Sequence, residues 1–560
     1  MKDNLGLQQY ATANDVMEKL VEDYDLASYP LSWQRTLGGI HYEMQLQAFS
    51  NVNNFIMAEN VSETTVATIK EHSLSLPGVE IVETSTRSYE QSTVLPHVLG
   101  RVGKITAEKW KVTDENGQTT YPLREKGYNM NDIIGISGLE SAYEDELRGK
   151  DGVETITRNS DGVIVDTALT TVPEPGHTVQ LTIDSRFQKA VDKALAENID
   201  MINRVYNTGS MKAAAGAAVV LDVKDGSVLA ASNYPSFDQN LYATQYSEYS
   251  ADESLPLFNR ALQGLYTPGS TFKPCTAVAA LESGVITPST TILDRGIYDY
   301  YSSPQPRCWI YSSYGSTHGR VDVSEAITVS CNYFFYEVGR LTGIKTLDDY
   351  ATQFGLGQYT GIEIGGPNSA EAKGALASPE YAEANDLEWS DGQTLTAAIG
   401  QSYNLFTPLQ LANYIATLVG NGEHYAAHLL KNVKTYNNSA VVYAYDKDPV
   451  NVVEMQDSTV EAIKTGMHDL TTGSLSTYFS KCVVSAGAKT GTAETGVTDA
   501  NNGTFVCFAP YDDPQIAVAV VIEKGGAGAA LAETAVDILN AYFSREEIGT
   551  AIIGENTLLN

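Results

Sequence analysis

The chain is poor in positive charge and lacks long apolar runs. Its 560 residues include 36 lysines and arginines against 69 aspartates and glutamates, which gives a net charge of −33. Such an acidic surface repels phosphate backbones, so nucleic acid is not expected as a partner. No stretch of about 18 apolar residues occurs, and we therefore expect no transmembrane helix in this sequence. The first residues are charged and amphipathic and do not form a signal peptide.

Cysteine is also scarce, since the chain has only five. An odd number of cysteines does not fit a complete disulfide framework. Hydrophobic residues make up 43% of the chain and charged residues 19%, a globular composition that can bury large cores. A chain of 560 residues exceeds the usual size of one domain, so we expect at least two.

A linker pattern, "VPEPG" at residues 172–176, divides the chain into two parts. The part before it mixes short helix and strand patterns, such as a helix capped by Ser62 and a helix over "LESAYEDELRG". The part after it has a strand pair near each end and helices between them. We predict that the two strand pairs share one antiparallel sheet.

The stretch "YTPGSTFKPC" places Ser270 three residues before Lys273. A serine hydroxyl is a poor nucleophile near neutral pH and needs a base beside it. Residues three apart share one face of a helix, and Pro268-Gly269 is a suitable helix entry. A lone Ser-x-x-Lys pattern is weak support for catalysis, because a chain of this length contains such patterns by chance.

Two further motifs strengthen the case. "VSCNYFF" contains Ser330, Cys331 and Asn332, and "SAGAKTGTAETG" contains a Lys-Thr-Gly at residues 489–491. Ser-x-x-Lys, Ser-Asp-Asn and Lys-Thr-Gly, in this order, form the signature of penicillin-binding proteins and class A β-lactamases. Only the central residue of the middle motif differs here.

Competing copies of two motifs test this interpretation. A second Lys-Thr-Gly at residues 464–466 lies in a helical pattern, so we expect its lysine to face solvent. A second Ser-x-Asn, Ser402 to Asn404, directly precedes a helix start at Thr407-Pro408, and it stays an alternative to Ser330 and Asn332.

The chain resembles the class B penicillin-binding proteins, with a lean towards the elongation-type penicillin-binding protein 2. The phrases "ALQGLYTPGSTFKP", "AITVSCNYFFYEVG", "AKTGTAE" and "VLPHVLGRVGKIT" carry the resemblance. It implies an α+β pedestal domain over residues 1–175, truncated at its N-terminus and missing the membrane anchor. A serine β-lactamase-like transpeptidase domain, an antiparallel sheet sandwiched by helices, would cover residues 176–545, with a tail at 546–560.

The resemblance implies a role for each motif residue in cleaving a D-Ala-D-Ala bond. Ser270 would attack the carbonyl, Lys273 would take its proton, and Ser330 would pass a proton to the departing amine. Asn332 would hold Lys273 and the substrate amide. The remaining motif residues would bind the substrate: Lys489 as a second cation, Thr490 and Thr492 at its terminal carboxylate, and Gly491 by allowing close approach.

The oxyanion would be held by the backbone N–H groups of Ser270 and Thr492, again by resemblance. This chemistry requires no cofactor. A structural zinc ion is one interpretation of Cys308, His318, Cys331 and an aspartate, since thiols, imidazole and carboxylate can form a tetrahedral site. Asp294 is preferred over Asp299 because it aligns where relatives often carry another thiol. A Cys308–Cys331 disulfide and unlinked side chains are the alternatives.

The resulting hypothesis is a peptidoglycan D,D-transpeptidase on the extracytoplasmic face of the bacterial membrane. Its ligands would be stem peptides and β-lactams, and its partner a lipid-linked glycan polymerase of the elongation or division complex. A β-lactamase is the nearest alternative, but no clear carboxylate pattern for deacylation is present. A non-catalytic β-lactam sensor or scaffold is the second, although no His-Glu-x-x-His motif of a sensor's metalloprotease occurs.

Overall fold

The computed structural model describes residues 1–544, except for positions 9, 48, 51–53, 73–74, 83–85, 115, 131, 161–163, 206–211, 367–368, 370 and 494–500. The predicted tail at 546–560 lies outside the described residues. Across the part of the chain that is described, no helix combines the length and the apolar character needed to span a bilayer.

The helices, in chain order, are α1 Ala13–Asp23, α2 Leu31–Leu46, α3 Glu63–Glu71, α4 Pro96–Leu99, α5 Ala107–Trp110, α6 Pro122–Glu125, α7 Gly138–Ala142, α8 Glu144–Leu147, α9 Ser185–Val205, α10 Tyr242–Ala251, α11 Arg260–Gln263, α12 Lys273–Glu282, α13 Trp309–Tyr314, α14 Val323–Thr328, α15 Asn332–Thr342, α16 Ile344–Gln353, α17 Pro379–Ala384, α18 Asp391–Ala397, α19 Pro408–Val419, α20 Asp457–Thr472, α21 Ser476–Phe479 and α22 Ala532–Phe543. The strands are β1 Arg101–Lys104, β2 Val112–Thr113, β3 Thr119–Thr120, β4 Ile133–Ser137, β5 Val153–Arg158, β6 Ile164–Thr171, β7 Thr178–Leu181, β8 Ala215–Asp222, β9 Val228–Tyr234, β10 Ile292–Asp294, β11 Gly319–Val321, β12 Glu423–His424, β13 Leu430–Lys434, β14 Val441–Ala444, β15 Asn451–Val452, β16 Gly487–Ala493, β17 Asn502–Ala509 and β18 Ile516–Glu523.

The chain forms two compact units, and the smaller one contains residues 1–86, 104–133 and 156–167. Within it, α1 and α2 pack around Leu20 and Tyr42. Helix α3 begins directly after Ser62, whose hydroxyl accepts a hydrogen bond from the N–H of Thr65, as the sequence predicts.

The larger unit contains residues 87–103, 134–155 and everything from 168 onward. The helix predicted over "LESAYEDELRG" is divided here into α7 and α8 at Tyr143. The Tyr143 ring is buried, and its hydroxyl donates to Glu363 at 3.2 Å. The same carboxylate accepts the backbone N–H groups of Leu429 and Leu430. A tertiary contact therefore decides where the predicted helix breaks.

A five-stranded antiparallel sheet with the order β16-β17-β18-β8-β9 is the centre of the larger unit. The two predicted strand pairs, β8–β9 and β17–β18, share this sheet because β18 pairs with β8. Side chains alternate between two apolar cores. Val219 and Leu221 face the core that includes α12 and α19, whereas Ala218 and Val220 face α9 and α22. The predicted antiparallel sheet between helical layers is confirmed.

Candidate active site

The nucleophile candidate Ser270 lies in a short 3₁₀ turn, Gly269–Phe272, that leads directly into α12. Two threonine hydroxyls, from Thr271 and Thr504, both donate to the carbonyl of Pro268 at 2.8 Å. These bonds fix the turn against the central sheet. The hydroxyl of Ser270 is only half-buried and makes no hydrogen bond to another described residue. It is therefore held in position by backbone geometry and remains open to attack a ligand.

Gly269 has a positive φ of 56° and lies against Thr492 of β16. A Cβ atom on Gly269 would come within 2.7 Å of the Thr492 carbonyl oxygen. On the other side, the N–H of Gly269 donates to the carbonyl of Gly400 at 2.8 Å, and a methyl group on Gly400 would overlap the Gly269 carbonyl. The nucleophile turn is thus enclosed between β16 and the loop around residue 400, and glycine is required at both contacts.

The middle motif meets the lysine of the first. Lys273 is fully buried, and its Nζ donates to the Ser330 carbonyl at 2.9 Å, to Ser330 Oγ at 3.1 Å and to Asn332 Oδ1 at 2.6 Å. Ser330 has a positive φ of 54°, which a residue with a side chain adopts only at a cost. Cys331 then caps α15, with its sulfur accepting the N–H of Phe334. This tight turn directs both Ser330 and Asn332 towards Lys273.

The lysine of the third motif reaches the same serine. Lys489 Nζ donates to Ser330 Oγ at 2.9 Å and to the carbonyl of Thr490 at 3.1 Å. Burial lowers the pKa of Lys273 to about 8, although the nearby thiols of Cys331 and Cys308 oppose this shift. Burial, with the Lys273 ammonium as a second cause, also lowers the pKa of Lys489. Two buried amines that share one hydroxyl disfavour each other's protonation, which makes a neutral amine available near neutral pH.

Strand β16 carries the third motif at an open edge of the sheet. The side chains of Thr490 and Thr492 are half-buried there. Gly491 also has close neighbours within the protein itself. A Cβ atom at Gly491 would come within 2.6 Å of the carbonyl oxygen of Pro268 and would overlap the Thr504 side chain. The close approach at Gly491 is to the nucleophile turn, and this contact aligns β16 with Ser270.

The competing motif copies lie apart from this cluster. Lys464 belongs to α20 and is not directed to solvent as expected. It is half-buried, with its ammonium 5.1 Å from the ring centroid of Tyr511. Asn404 is buried and bonded to the backbone of Ala377 and Ala397, and Ser402 donates to Gln393. The structure thus brings Ser330 and Asn332, rather than Ser402 and Asn404, to Lys273.

The four candidate metal ligands also converge, and their donor atoms all lie within 4.8 Å of one another. His318 Nδ1 is 2.9 Å from Asp294 Oδ2 and 3.4 Å from Cys308 Sγ. Cys331 Sγ is 3.7 Å from Asp294 Oδ2 and 4.0 Å from Cys308 Sγ. All four side chains are buried, and the cluster includes Asp294 but not Asp299. Both cysteines are free thiols.

Two residues that support the site were not predicted from the sequence. Gln401 donates its side-chain amide to the Thr492 carbonyl at 3.1 Å, and Tyr414 on α19 donates its hydroxyl to the Thr271 carbonyl at 2.6 Å. Both act on backbone carbonyls more than 90 residues away in sequence, so no local pattern predicts them. Gln401 directly precedes Ser402 of the competing Ser-x-Asn motif, and its sequence neighbours do not point to β16.

Two models of known protein families match successive parts of the chain. Residues 216–540 match the penicillin binding protein transpeptidase domain, and residues 5–181 match the penicillin-binding protein dimerisation domain. The peptidoglycan D,D-transpeptidase MrdA of Escherichia coli K12 is 32% identical over 504 residues, which cover 86% of this chain and 75% of that protein.

Two solved structures are similar as well. Pseudomonas aeruginosa PBP2 in complex with WCK 5153 is 30% identical, with a TM-score of 0.67 over 82% of this chain and 90% of that one. A structure described as "Structural coordination of polymerization and crosslinking by a peptidoglycan synthase complex" is 28% identical, with a TM-score of 0.70 over 93% of this chain and 87% of that one. The chain belongs to the class B penicillin-binding proteins, in which a dimerisation domain precedes the transpeptidase domain.

Proposed function

We propose that this chain is a peptidoglycan D,D-transpeptidase that uses Ser270 as its nucleophile. The observation that carries the proposal is that Lys273 and Lys489 both donate to the hydroxyl of Ser330, next to the turn that holds Ser270. Ser270 attacks the D-Ala-D-Ala carbonyl, the C–N bond breaks, and the terminal D-Ala leaves as a free amine. An amine of a neighbouring stem peptide then takes the acyl group from Ser270.

The hydrogen bonds of Lys273 support its role as the general base. A neutral amine has two N–H donors and one lone pair. The Ser330 carbonyl and Asn332 Oδ1 accept the two N–H groups, so the lone pair is left for the proton that Ser270 loses. The positive end of the turn and the N-terminus of α12 favour the developing negative charge on the serine.

Ser330 is suited to return that proton to the leaving amine. Its oxygen accepts a hydrogen bond from Lys489, and Lys273 provides a second one through its third N–H once it has taken the proton of Ser270. The O–H proton of Ser330 is then free to point into the site, where the departing amine needs it. The hydroxyls of Thr490 and Thr492, with Lys489 nearby, suit the terminal carboxylate of the substrate, and the N–H groups of Ser270 and Thr492 suit the oxyanion.

Reaction with a penicillin and with a D-alanyl thioester tests this function. We expect wild-type protein to gain the mass of one β-lactam, to keep it for longer than a catalytic cycle, and to turn over the thioester. Rapid loss of the adduct with consumption of the drug would mean a β-lactamase. A stable adduct without thioester turnover would mean a sensor or scaffold. Intact-mass spectrometry and a thiol-release assay separate these outcomes.

We also propose that Asp294, Cys308, His318 and Cys331 hold a structural zinc ion. Zn–S bonds of about 2.3 Å in a tetrahedron place two sulfurs about 3.8 Å apart, close to the 4.0 Å between Cys308 and Cys331. The hydrogen bond from Cys331 lowers the pKa of the Cys308 thiol, while the same contact raises that of Cys331. One thiolate is therefore favoured before an ion binds, and the proton of Cys331 would leave when zinc binds. When bound, the ion would cross-link β10 and the start of α15, and so hold Ser330 and Asn332 in place.

Removal of one thiol should abolish zinc binding. We expect about one zinc per chain in the wild type and almost none in Cys308→Ala, because three ligands bind zinc much more weakly than four. A chelator should lower the melting temperature of the wild type and leave that of Cys308→Ala unchanged. The matched control is Cys507→Ala, another buried thiol, which should keep its zinc. A wild-type protein that takes up no zinc under reducing conditions, or one lighter by two hydrogens through a disulfide, would contradict the proposal.

The proposed transpeptidase function also implies domain limits and a partner. We place the pedestal at residues 1–175 and the transpeptidase domain at 176–545. The end of the dimerisation match at residue 181 supports this limit, whereas the larger compact unit also includes residues 87–103 and 134–155. A similar chain functions in a synthase complex that coordinates polymerisation and crosslinking, which supports a glycan polymerase as the partner. Stem peptides lie outside the cytoplasmic membrane, so the enzyme acts on the extracytoplasmic side.

A further inference from the structure

Gln401 occupies a position that the mechanism above does not use. Its side-chain Nε2 donates to the carbonyl of Thr492 at 3.1 Å. Thr492 is part of β16, which is the edge strand of the central sheet. Successive peptide groups of a strand point to opposite sides, so the backbone groups of Thr490 and Thr492 face the same side. Both carbonyls accept hydrogen bonds from side-chain amines or amides, which places them on the free edge of β16.

The segment that carries Gln401 is held firmly. The N–H of Gln401 donates to the Thr396 carbonyl at 2.9 Å, and the preceding Gly400 accepts the N–H of Gly269. Ser402 has a positive φ of 62°, and its hydroxyl donates to Gln393 at 2.8 Å. Since the backbone is fixed on both sides of Gln401, its carboxamide is directed to the free edge, while the side chain itself is only half-buried and can rotate away.

A peptide substrate needs the same edge. An extended peptide binds an exposed strand by adding to the sheet, so that its N–H groups meet the free carbonyls of that strand. The Thr492 carbonyl is the one beside the nucleophile turn, because Gly269 packs directly against it. The substrate N–H closest to the scissile bond must therefore approach the carbonyl that Gln401 holds, from the direction that the Gln401 carboxamide fills.

We propose that Gln401 is a placeholder that caps the Thr492 carbonyl in the free enzyme and is displaced by the backbone N–H of the acyl donor. This inference rests on the proposed transpeptidase function. A ligand with an amide N–H next to the scissile bond replaces the Gln401 hydrogen bond with its own. A ligand without that N–H gains nothing at Thr492 and leaves the carboxamide in place. Gln401 thus offsets part of the gain that a peptide-like N–H makes at the Thr492 carbonyl, and it is a positioning residue for β16.

The test compares two β-lactams on the full chain. A penicillin carries an acylamino N–H next to its lactam ring, whereas a carbapenem carries a hydroxyethyl group there. In Gln401→Met, which keeps the side-chain length but removes the donor, we expect the second-order rate of acylation by the penicillin to rise about two- to tenfold. The rate with the carbapenem should stay within about twofold. Gln353→Met removes an exposed side-chain amide from α16, where it donates only to the Asp349 carbonyl, and it should change neither rate.

The ratio of the two rates separates this role from simple support of the fold. If Gln401 only stabilises β16, both rates fall together in Gln401→Met, and the inference is overturned. The inference is also overturned if both acylation rates of Gln401→Met are the same as in the wild type. A wild-type protein that neither drug acylates would refute the proposed function and the inference with it, whereas an acylated wild type with an unchanged ratio refutes the inference alone.

Discussion

Ser270→Ala protein is expected to form no adduct with a penicillin, and its thioester turnover should fall by about 10⁴-fold or more. The Ser270 hydroxyl is the only nucleophile that the nucleophile turn presents, and Lys273 and Ser330 have no substitute to activate. Because this hydroxyl makes no hydrogen bond to another described residue, its removal should change the free energy of unfolding by about 0.5 kcal/mol or less. Intact-mass spectrometry and thermal unfolding measure the two effects.

The matched control for this substitution is Ser283→Ala. Ser283 caps the far end of the same helix, α12, where its hydroxyl donates to the Ala279 carbonyl. It should lose some stability and keep full acylation, which is the opposite of the pattern at Ser270. A Ser270→Ala protein that still gains one β-lactam per chain would show that another residue is the nucleophile.

The chemistry of this site was open to prediction from sequence because few residue types can perform it. A serine needs a base within reach, and the Ser-x-x-Lys spacing at Ser270 and Lys273 places that base on the same face of a helix. The continuous apolar runs of β8 and β18 likewise indicate strands that are buried on both faces. In these cases the local pattern and the tertiary structure agree.

The remaining features depend on contacts between distant segments. Gly491 is restricted by Thr504 of the neighbouring strand and by Pro268 of the nucleophile turn, and its own sequence neighbours reveal neither contact. Lys464 packs over Tyr511 because α20 lies near the loop between β17 and β18. The break at Tyr143 depends on Glu363, 220 residues further along the chain. Tertiary packing overrides local propensity at such positions.

The same distinction applies to choosing between motif copies. Ser330 and Ser402 are each followed two residues later by asparagine, and each has a positive φ. Asn332 accepts a hydrogen bond from the buried Lys273. The side-chain amide of Asn404 instead bonds to the backbone of Ala377 and Ala397. The fold thus gives the Ser-x-Asn motif at Ser330 a lysine partner and the motif at Ser402 only backbone partners. The sequence of the two motifs does not distinguish them.

Lys273→Met should reduce acylation by a penicillin by about 10²- to 10⁴-fold, the usual contribution of a positioned general base. Methionine fills most of the same volume, so the buried site is not left empty. Lys464→Met is the control, because it removes a half-buried lysine that lies outside the motif cluster, and it should leave acylation unchanged. Stopped-flow acylation rates of the three proteins provide the comparison.

The pH dependence of the wild type gives an independent test of the same base. The pKa of Lys273 is lowered by burial to about 8, so the amine is mostly protonated at pH 6 and mostly neutral at pH 9. Only the neutral amine can accept the serine proton, and the acylation rate should therefore rise with pH through about 8 and then level off. The Lys273→Met rate should lack this rise. If the variant kept the wild-type profile, a different group would be titrating, and the depressed pKa of the neighbouring Lys489 would make that lysine the next base to remove.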